Sequence, residues 1–251
     1  MTKTAWEMPL KFSSWNLWRL DDTAYLAFAH DQSWSLVVDP AFGLNGHQKK
    51  LVADHCDRAT RRIAWVSHPH DDHFHGAPAW RELGYEVVFH QESAQLIHGV
   101  SGMSGRELSV FLFGTSKIGM GGRMMLRPLQ SAIKHLTIDH EAQDGPMIGG
   151  LPFEVRSFAG HSPSDSMLIN PECVFSGDIA FMEDGEFVPA NCELPKSNRK
   201  LYLDNELIAF IDLAGQQPDA LFCPGHHEMS YGRGFLLALD RFVKRVTPDD
   251  T

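Results

Sequence analysis

Residues 67–76 read SHPHDDHFHG, and this stretch decides how the rest of the chain is understood. It holds four of the 14 histidines of a 251-residue sequence, interleaved with two aspartates. Just before it, RRIAWVS (61–67) is a short apolar run that reads as a buried strand. Just after it, GAPAWRELG (76–84) reads as a helix closed by Gly84, and YEVVFH (85–90) as the next strand. His68 and His70 are two apart, so on an extended segment they point the same way. Asp72 and His73 follow where the chain must turn toward the helix. Imidazole and carboxylate are ligand types that suit zinc, iron or manganese. An exposed His-rich loop would need no such spacing, and burying these groups without a metal would be costly. The stretch therefore reads as one loop feeding two adjacent metal ions.

Outward from it, TAYLAFA (23–29) and SWSLVVD (33–39) read as a hairpin around the polar turn HDQ. HQKKLVADHCDRA (47–59) carries Leu51, Val52, His55 and Cys56 on one helical face. Beyond the hairpin, strands and helices alternate, which suggests helices packed on sheet. In such sheets functional loops gather where strands end. In residues 91–150, ESAQLIHGV and GRELSVFLFG look helical, and GTSKIGMGGRMMLRP reads as a Gly- and Met-rich loop. The region is expected to be an insertion or lid, or else an ordinary helical connection. FEVRSFA (153–159), SMLIN (166–170), ECVFSGD (172–178) and DALFCPG (219–225) read as strands. RKLYLDNELIAFIDLAG (199–215) and GFLLALDRFVKRV (234–246) read as helices. With no linker between the halves, a single domain over residues 1–251 is expected.

Composition sets bounds. The apolar fraction of 43% and charged fraction of 22% are those of a folded globular chain. A net charge of −10 argues against nucleic acid or an anionic membrane as partner. Cys56, Cys173, Cys192 and Cys223 have no short spacing, as in a reducing compartment. The N-terminus lacks the apolar run of a signal peptide, and no stretch approaches a membrane span, so a cytoplasmic location is expected.

Three later segments supply ligand types after apolar strands: AGHSPSDS with His161, VFSGDIA with Asp178, and FCPGHHE with His226 and His227. Together with SHPHDDH (an H-x-H-x-D-H pattern), GHS, SGD and PGH, and with LVVDPAFG near the start, the chain resembles the metallo-β-lactamase superfamily of metallohydrolases. The resemblance spans roughly residues 20–230, with the motifs in family order. It implies an α/β (α+β) fold, a four-layer αββα sandwich with the metals at one edge between the two sheets. It implies that His68, His70 and His161 bind one metal, that Asp72, His73 and His226 bind the second, and that Asp178 bridges both. Asp39 would orient the ligands from behind. His75 has no ligand role, and a register shift of one would exchange His226 for His227.

The resemblance further implies two divalent metal ions, zinc in the first place and iron or manganese as alternatives. Asp72 and Asp178 are the candidate catalytic residues, able to pass a proton to the leaving group. Ser162 is unsuited to act as nucleophile, because adjacent letters in GHSPSD cannot form a Ser-His-Asp geometry. Among family activities, secreted β-lactamases, glyoxalase II-like enzymes with an added helical domain, nucleases with basic additions, and flavodiiron proteins fit this chain less well. A hydrolase of ester, lactone or thioester bonds in a small molecule fits best. A persulfide dioxygenase-like iron oxidase, a phosphodiesterase or a low-turnover ligand-binding member are the alternatives. A homodimer is an open option. Phe111, Phe113, Met120, Met124 and Met125 are candidates for an acyl pocket, or for the insertion's own core. Tyr231, five residues past His226, is a candidate to hydrogen-bond a substrate carbonyl.

Overall fold

The computed structural model describes residues 8–41, 44–113, 130, 133–134, 136–158, 161–162, 164–189 and 202–246. Seven strands form the first sheet in sequential order: β1 (Leu10–Lys11), β2 (Trp15–Arg19), β3 (Tyr25–Ala29), β4 (Trp34–Val38), β5 (Arg61–Val66), β6 (Glu86–His90) and β7 (His140–Ala142). The early strands pair antiparallel, whereas β4 to β7 run parallel. The crossovers between parallel strands carry α1 (Gly46–His55), α2 (Asp71–Phe74), α3 (Ala77–Glu82), α4 (Gln91–Gly99) and α5 (Gly105–Phe113). The second sheet contains β8 (Gly145–Pro146), β9 (Glu154–Phe158), β10 (Asp165–Asn170) and β11 (Cys173–Gly177). A separate hairpin of β12 (Ala180–Glu183) and β13 (Glu186–Pro189) follows. β14 (Leu221–Pro224) and β15 (Ser230–Tyr231) then complete the second sheet, flanked by helices α6 (Ile208–Gln216) and α7 (Gly232–Val246).

The layering follows from strand alternation. In β5, Ile63 and Trp65 face one core while Ala64 and Val66 face another. In β10, Leu168 faces the middle core while Met167 and Ile169 face the far one. Successive side chains on a strand point to opposite faces, so a strand apolar at every position needs cover on both. The first core lies between the first sheet and its helices, through Val52, Trp80, Ala94 and Ile97. The middle core lies between the sheets, where Trp15, Trp34 and Phe153 meet edge-on or tilted. The third packs the second sheet against α6 and α7 through Phe210, Phe222 and Phe235. Each fully buried large side chain contributes on the order of 2 kcal/mol. The result is the expected αββα sandwich.

Several elements differ from the sequence reading. β1 and β2 precede the first expected strand; β2 alternates Trp15 and Leu17 inward to the middle core, with Trp18 on the other side. The β12–β13 hairpin turns at Asp184 and Gly185, both with positive φ, the conformation of a tight two-residue hairpin turn. The expected helix over 199–215 is a π-helical stretch, Tyr202–Leu207, running into α6. Cys173 and Cys223, 50 positions apart, bring their sulfurs to 3.6 Å in the middle core. Among the described residues, no helix is long and apolar enough to cross a membrane. The Gly- and Met-rich loop with Met120, Met124 and Met125 lies outside the described residues, as do Cys192 and the side chains of Phe111 and Phe113.

Candidate metal centre

The site lies where strand ends from both sheets meet. β5 delivers Ser67, His68 and His70, and α2 carries Asp72 and His73. His161 follows β9, Asp178 follows β11, and His226 follows β14. The two sheets are tied together just here. Ser166 donates from both its backbone N (2.9 Å) and its Oγ (2.7 Å) to the Ser67 carbonyl. Tyr25 donates its hydroxyl to the Pro224 carbonyl at 2.8 Å, and Gly225 N donates to the Gly177 carbonyl at 2.8 Å. Gly225 is required by space: a Cβ there would collide with Asp178 Oδ1 and sit 2.6 Å from His73 Cε1. Gly177 takes φ of +54°, with Ser67 Oγ 3.0 Å from where a Cβ would stand.

Six of the seven expected ligands fall into two clusters, and the seventh joins them. His70 Nδ1 lies 3.0 Å from His68 Nε2 and 3.1 Å from His161 Nε2. His226 Nε2 lies 3.1 Å from Asp72 Oδ2, and His73 Nε2 lies 4.0 Å from Asp72 Oδ1. Asp178 stands between, with an oxygen 3.4 Å from His73, 3.6 Å from His161, 3.6 Å from His226 and 4.0 Å from His68. The donor set suits metal ions. A neutral imidazole offers one N–H and one lone pair, so three ring nitrogens converging at this distance cannot all satisfy one another. A cation among them accepts all three lone pairs. Asp178 Oδ1 and His73 Nε2 are likewise buried without a hydrogen-bond partner. Three ligand groups, His68/His70/His161, His68/His73/Asp178 and Asp72/His73/His226, each bring their ligand atoms within 4.8 Å of one another.

Electrostatics divide the clusters. Burial holds His68 well below the ordinary imidazole range, and burial with the nearby His73 brings His70 down to about 4. Burial also lowers His161. His73 goes the other way: burial opposes its charge, but Asp178 and Asp39 outweigh burial and hold it well up. His226 is raised, its desolvation outweighed by the hydrogen bond to Asp72 and the charge of Asp178. Desolvation lifts the Asp72 carboxyl, yet His226 and His73 bring it down to about 2. Asp178 is held far below the usual carboxylate range, chiefly by His73, against its own burial.

Asp39 occupies the expected supporting place. Its Oδ1 accepts from Ser67 N (2.7 Å), and its Oδ2 accepts from Ser67 Oγ (2.9 Å) and lies 3.1 Å from His73 Nδ1. It does so at φ of +50°, an uncommon backbone for a non-glycine residue. His75 lies outside both clusters, paired with Asp71 at 3.1 Å and half-exposed. The histidine pair after Gly225 sorts itself: His226 faces Asp72, while His227 is exposed, at φ of +61°, against the Phe181 ring. Ser162 is buried, its Oγ accepting from Ser164 N. Tyr231 is not brought to the site. It pairs with Leu221 at the start of β14, whose far end leads to His226, and Arg233 lies over its exposed ring. An antiparallel return carries the chain away from His226, so five residues of sequence become a strand's length of separation.

Two residues behind the site have no place in the sequence reading. Glu206, fully buried in the π-helical stretch, accepts through Oε2 from the backbone N of His161 at 2.8 Å. Asp165 accepts through Oδ2 from the N of Ser162 at 2.7 Å. Burial pushes both carboxyls up, Glu206 well up with Asp165 adding to it. Glu206 shares a helical face with Phe210 and Leu213, both buried. An acid on the apolar face of an amphipathic segment is the signal that points to it.

With fold and site in view, the profile described as the metallo-beta-lactamase superfamily matches residues 16–226. The chain belongs to the metallo-beta-lactamase superfamily. No curated protein matches it. Solved structures do. The B3 metallo-beta-lactamase BLEG-1 is 16% identical with a TM-score of 0.56, over 92% of this chain and 95% of that one. TTHA1623 in a di-iron-bound form is 20% identical with a TM-score of 0.54, over 92% and 96%. FIM-1 from Pseudomonas aeruginosa in its mono-zinc form is 16% identical with a TM-score of 0.56, over 96% of both chains. At these identities the likeness is one of fold.

Proposed function

We propose that the chain is a metal-dependent hydrolase that cleaves an ester, lactone or thioester bond of a small molecule. One observation carries this: Asp178 stands within 4.0 Å of histidines from both clusters. His68, His70 and His161 would hold one divalent ion, Asp72, His73 and His226 a second, and Asp178 would touch both. Zinc is the first choice, with iron or manganese as alternatives; among the similar structures, FIM-1 is in a mono-zinc form and TTHA1623 in a di-iron-bound form. Bound there, such ions supply an electrophile and a water acidic enough to lose its proton near neutral pH. The protein's own groups do the rest. Asp72, its side chain 46% exposed, is the carboxylate open to incoming substrate. It can take a proton from the reacting centre and return it to the leaving group. Asp178, buried and ionised, keeps the clusters in register. Asp39 and Ser67 fix the rings of His73 and His68 from behind. The same reading treats residues 1–251 as one domain; the expected 91–150 insertion contains, besides α4 and α5, strands of both sheets, β7 and β8, so these parts belong to the sandwich itself.

The test pairs metal analysis of protein from its own host with a screen over lactone, thioester, ester and phosphodiester substrates, using His70→Ala as control. Two zinc ions per chain with hydrolysis abolished in the control supports the proposal. One iron with oxygen uptake on glutathione persulfide would replace it with the oxidase reading. Turnover no higher than the control would leave a ligand-binding protein.

A further inference from the structure

The backbone N–H groups of His161 and Ser162 are consecutive, and each is held by a different buried carboxyl: Glu206 at 2.8 Å and Asp165 at 2.7 Å. Both acids are buried, Glu206 at 0% and Asp165 at 3% exposure. Their other oxygens, Glu206 Oε1 and Asp165 Oδ1, are also buried and have no hydrogen-bond partner. His161 Nδ1, on the ring edge opposite the site, is buried without a partner too. A third metal is not what the pair holds: among the described residues, neither acid belongs to a group of converging ligand atoms. The acids also come from separate elements. Asp165 begins β10, while Glu206 comes from the π-helical stretch Tyr202–Leu207 before α6. π-helical turns are rare and recur at functional sites.

Resting on the two-metal reading above, we infer that Glu206 and Asp165 form one positioning unit for His161. Together they fix the backbone that presents Nε2 to the first ion, so that the π-helical stretch before α6 sets how tightly that ion is held. Neither is a catalytic residue, since neither faces the cluster's interior. Substitution is expected to act on the first cluster and to spare Asp72, His73 and His226, which reach the site through α2 and β14. Outer groups that hold a ligating histidine are typically worth about 10-fold to 100-fold in metal affinity.

The experiment titrates metal-free protein with Co(II), following visible absorption and calorimetry to separate the two binding events. Glu206→Leu removes the acceptor, and Glu206→Asp withdraws it by one methylene. Both are expected to weaken the first event by about 10-fold or more while leaving the second unchanged. Glu206→Gln keeps an acceptor for His161 N–H and offers Asp165 a donor, so it is expected to restore wild-type binding. Should Glu206→Leu fail to fold, Glu206→Asp and Glu206→Gln decide. Unchanged first-site binding in Glu206→Asp, equal loss at both sites, or failure of Glu206→Gln to rescue would overturn the inference. Amide exchange at His161 in metal-free protein gives a readout independent of metal. Slow exchange in wild type and Glu206→Gln, and fast exchange in Glu206→Asp, is expected; equal rates would overturn it. A wild type that binds no cobalt yet shows this exchange pattern would count against the metal reading and not against the positioning unit.

Discussion

Asp39 Oδ2 lies 3.1 Å from His73 Nδ1, on the face of the ring turned away from the metal centre. The same carboxylate holds Ser67, whose Oγ in turn lies 3.0 Å from His68 Nδ1. One buried acid at the end of β4 thus braces a histidine of each cluster, one directly and one through a serine. Asp39→Asn keeps an acceptor for Ser67 and removes the charge facing His73. Metal affinity at the second cluster should fall by about 10-fold to 100-fold, with the first cluster much less affected. Asp39→Ala should also leave the buried Ser67 N–H unpaired, at about 1–3 kcal/mol, and leave Ser67 Oγ only His68 Nδ1. Denaturant unfolding and metal titration of both variants check this; equal binding in Asp39→Asn and wild type would contradict the bracing role.

Gly225→Ala is expected to keep the sandwich and lose the site. The added methyl would collide with Asp178 Oδ1 and crowd His73, beside a strand end tied to β11 by the Gly225 N to Gly177 carbonyl bond. Metal content should drop to one ion per chain or none, with near-wild-type circular dichroism. Retention of both ions would show that the strand ends yield more easily than their hydrogen bonds imply.

The clusters should differ in their response to pH. His68 and His70 are already neutral in the metal-free protein, His70 with a pKa of about 4, so filling the first cluster at pH 7 displaces few protons from the protein. His73 and His226 are raised and must give up protons to become ligands. Second-cluster affinity should therefore climb as pH rises through the His73 and His226 values, while first-cluster affinity stays flat. Calorimetry in buffers of different ionisation heat counts the protons, and equal release from both events would contradict the assignment. The metal-free protein should show the opposite trend. The folded pKa of His73 lies above its unfolded value of about 6.5, so its attraction to Asp39 and Asp178 is fully present below that pH. It is lost as pH rises through the folded pKa. With chelator present, the melting temperature should decline on the alkaline side; a rise there would mean that His73 is neutral in the folded state.

Much of this site is legible in the sequence because each ligand follows an apolar strand. Ser67–Gly76 after β5, GHS after β9, SGD after β11 and PGH after β14 place chemistry at strand ends without any knowledge of distances. The sandwich is legible for a similar reason: strands such as LVV and MLI, apolar at every position, demand cover on both faces. What escapes is what depends on the third dimension. β2 reads as a polar N-terminus until Trp15, Leu17 and Trp18 are seen to alternate between two cores. Tyr231 is near His226 in sequence and far from it in space, because β15 folds back along β14. Glu206 supports His161 from 45 residues away, within a segment whose pattern suggests an ordinary amphipathic helix.

Tyr231→Phe makes a useful contrast with His226→Ala. The Tyr231 ring is 51% exposed and packs with Arg233, so losing its hydroxyl should leave kcat/KM within about twofold of wild type, a difference well under 1 kcal/mol. His226→Ala should remove the second ion and most of the activity. A large loss in Tyr231→Phe would require that the end of β15 reach substrate after all.

The most direct test is anomalous diffraction from crystals of protein loaded with zinc, collected on both sides of the metal edge. The expected result is two peaks per chain, one among His68, His70 and His161 and the other among Asp72, His73 and His226, with an Asp178 oxygen reaching each. A single peak, or a second one that leaves out Asp178 or takes His227 in place of His226, would contradict the two-metal centre.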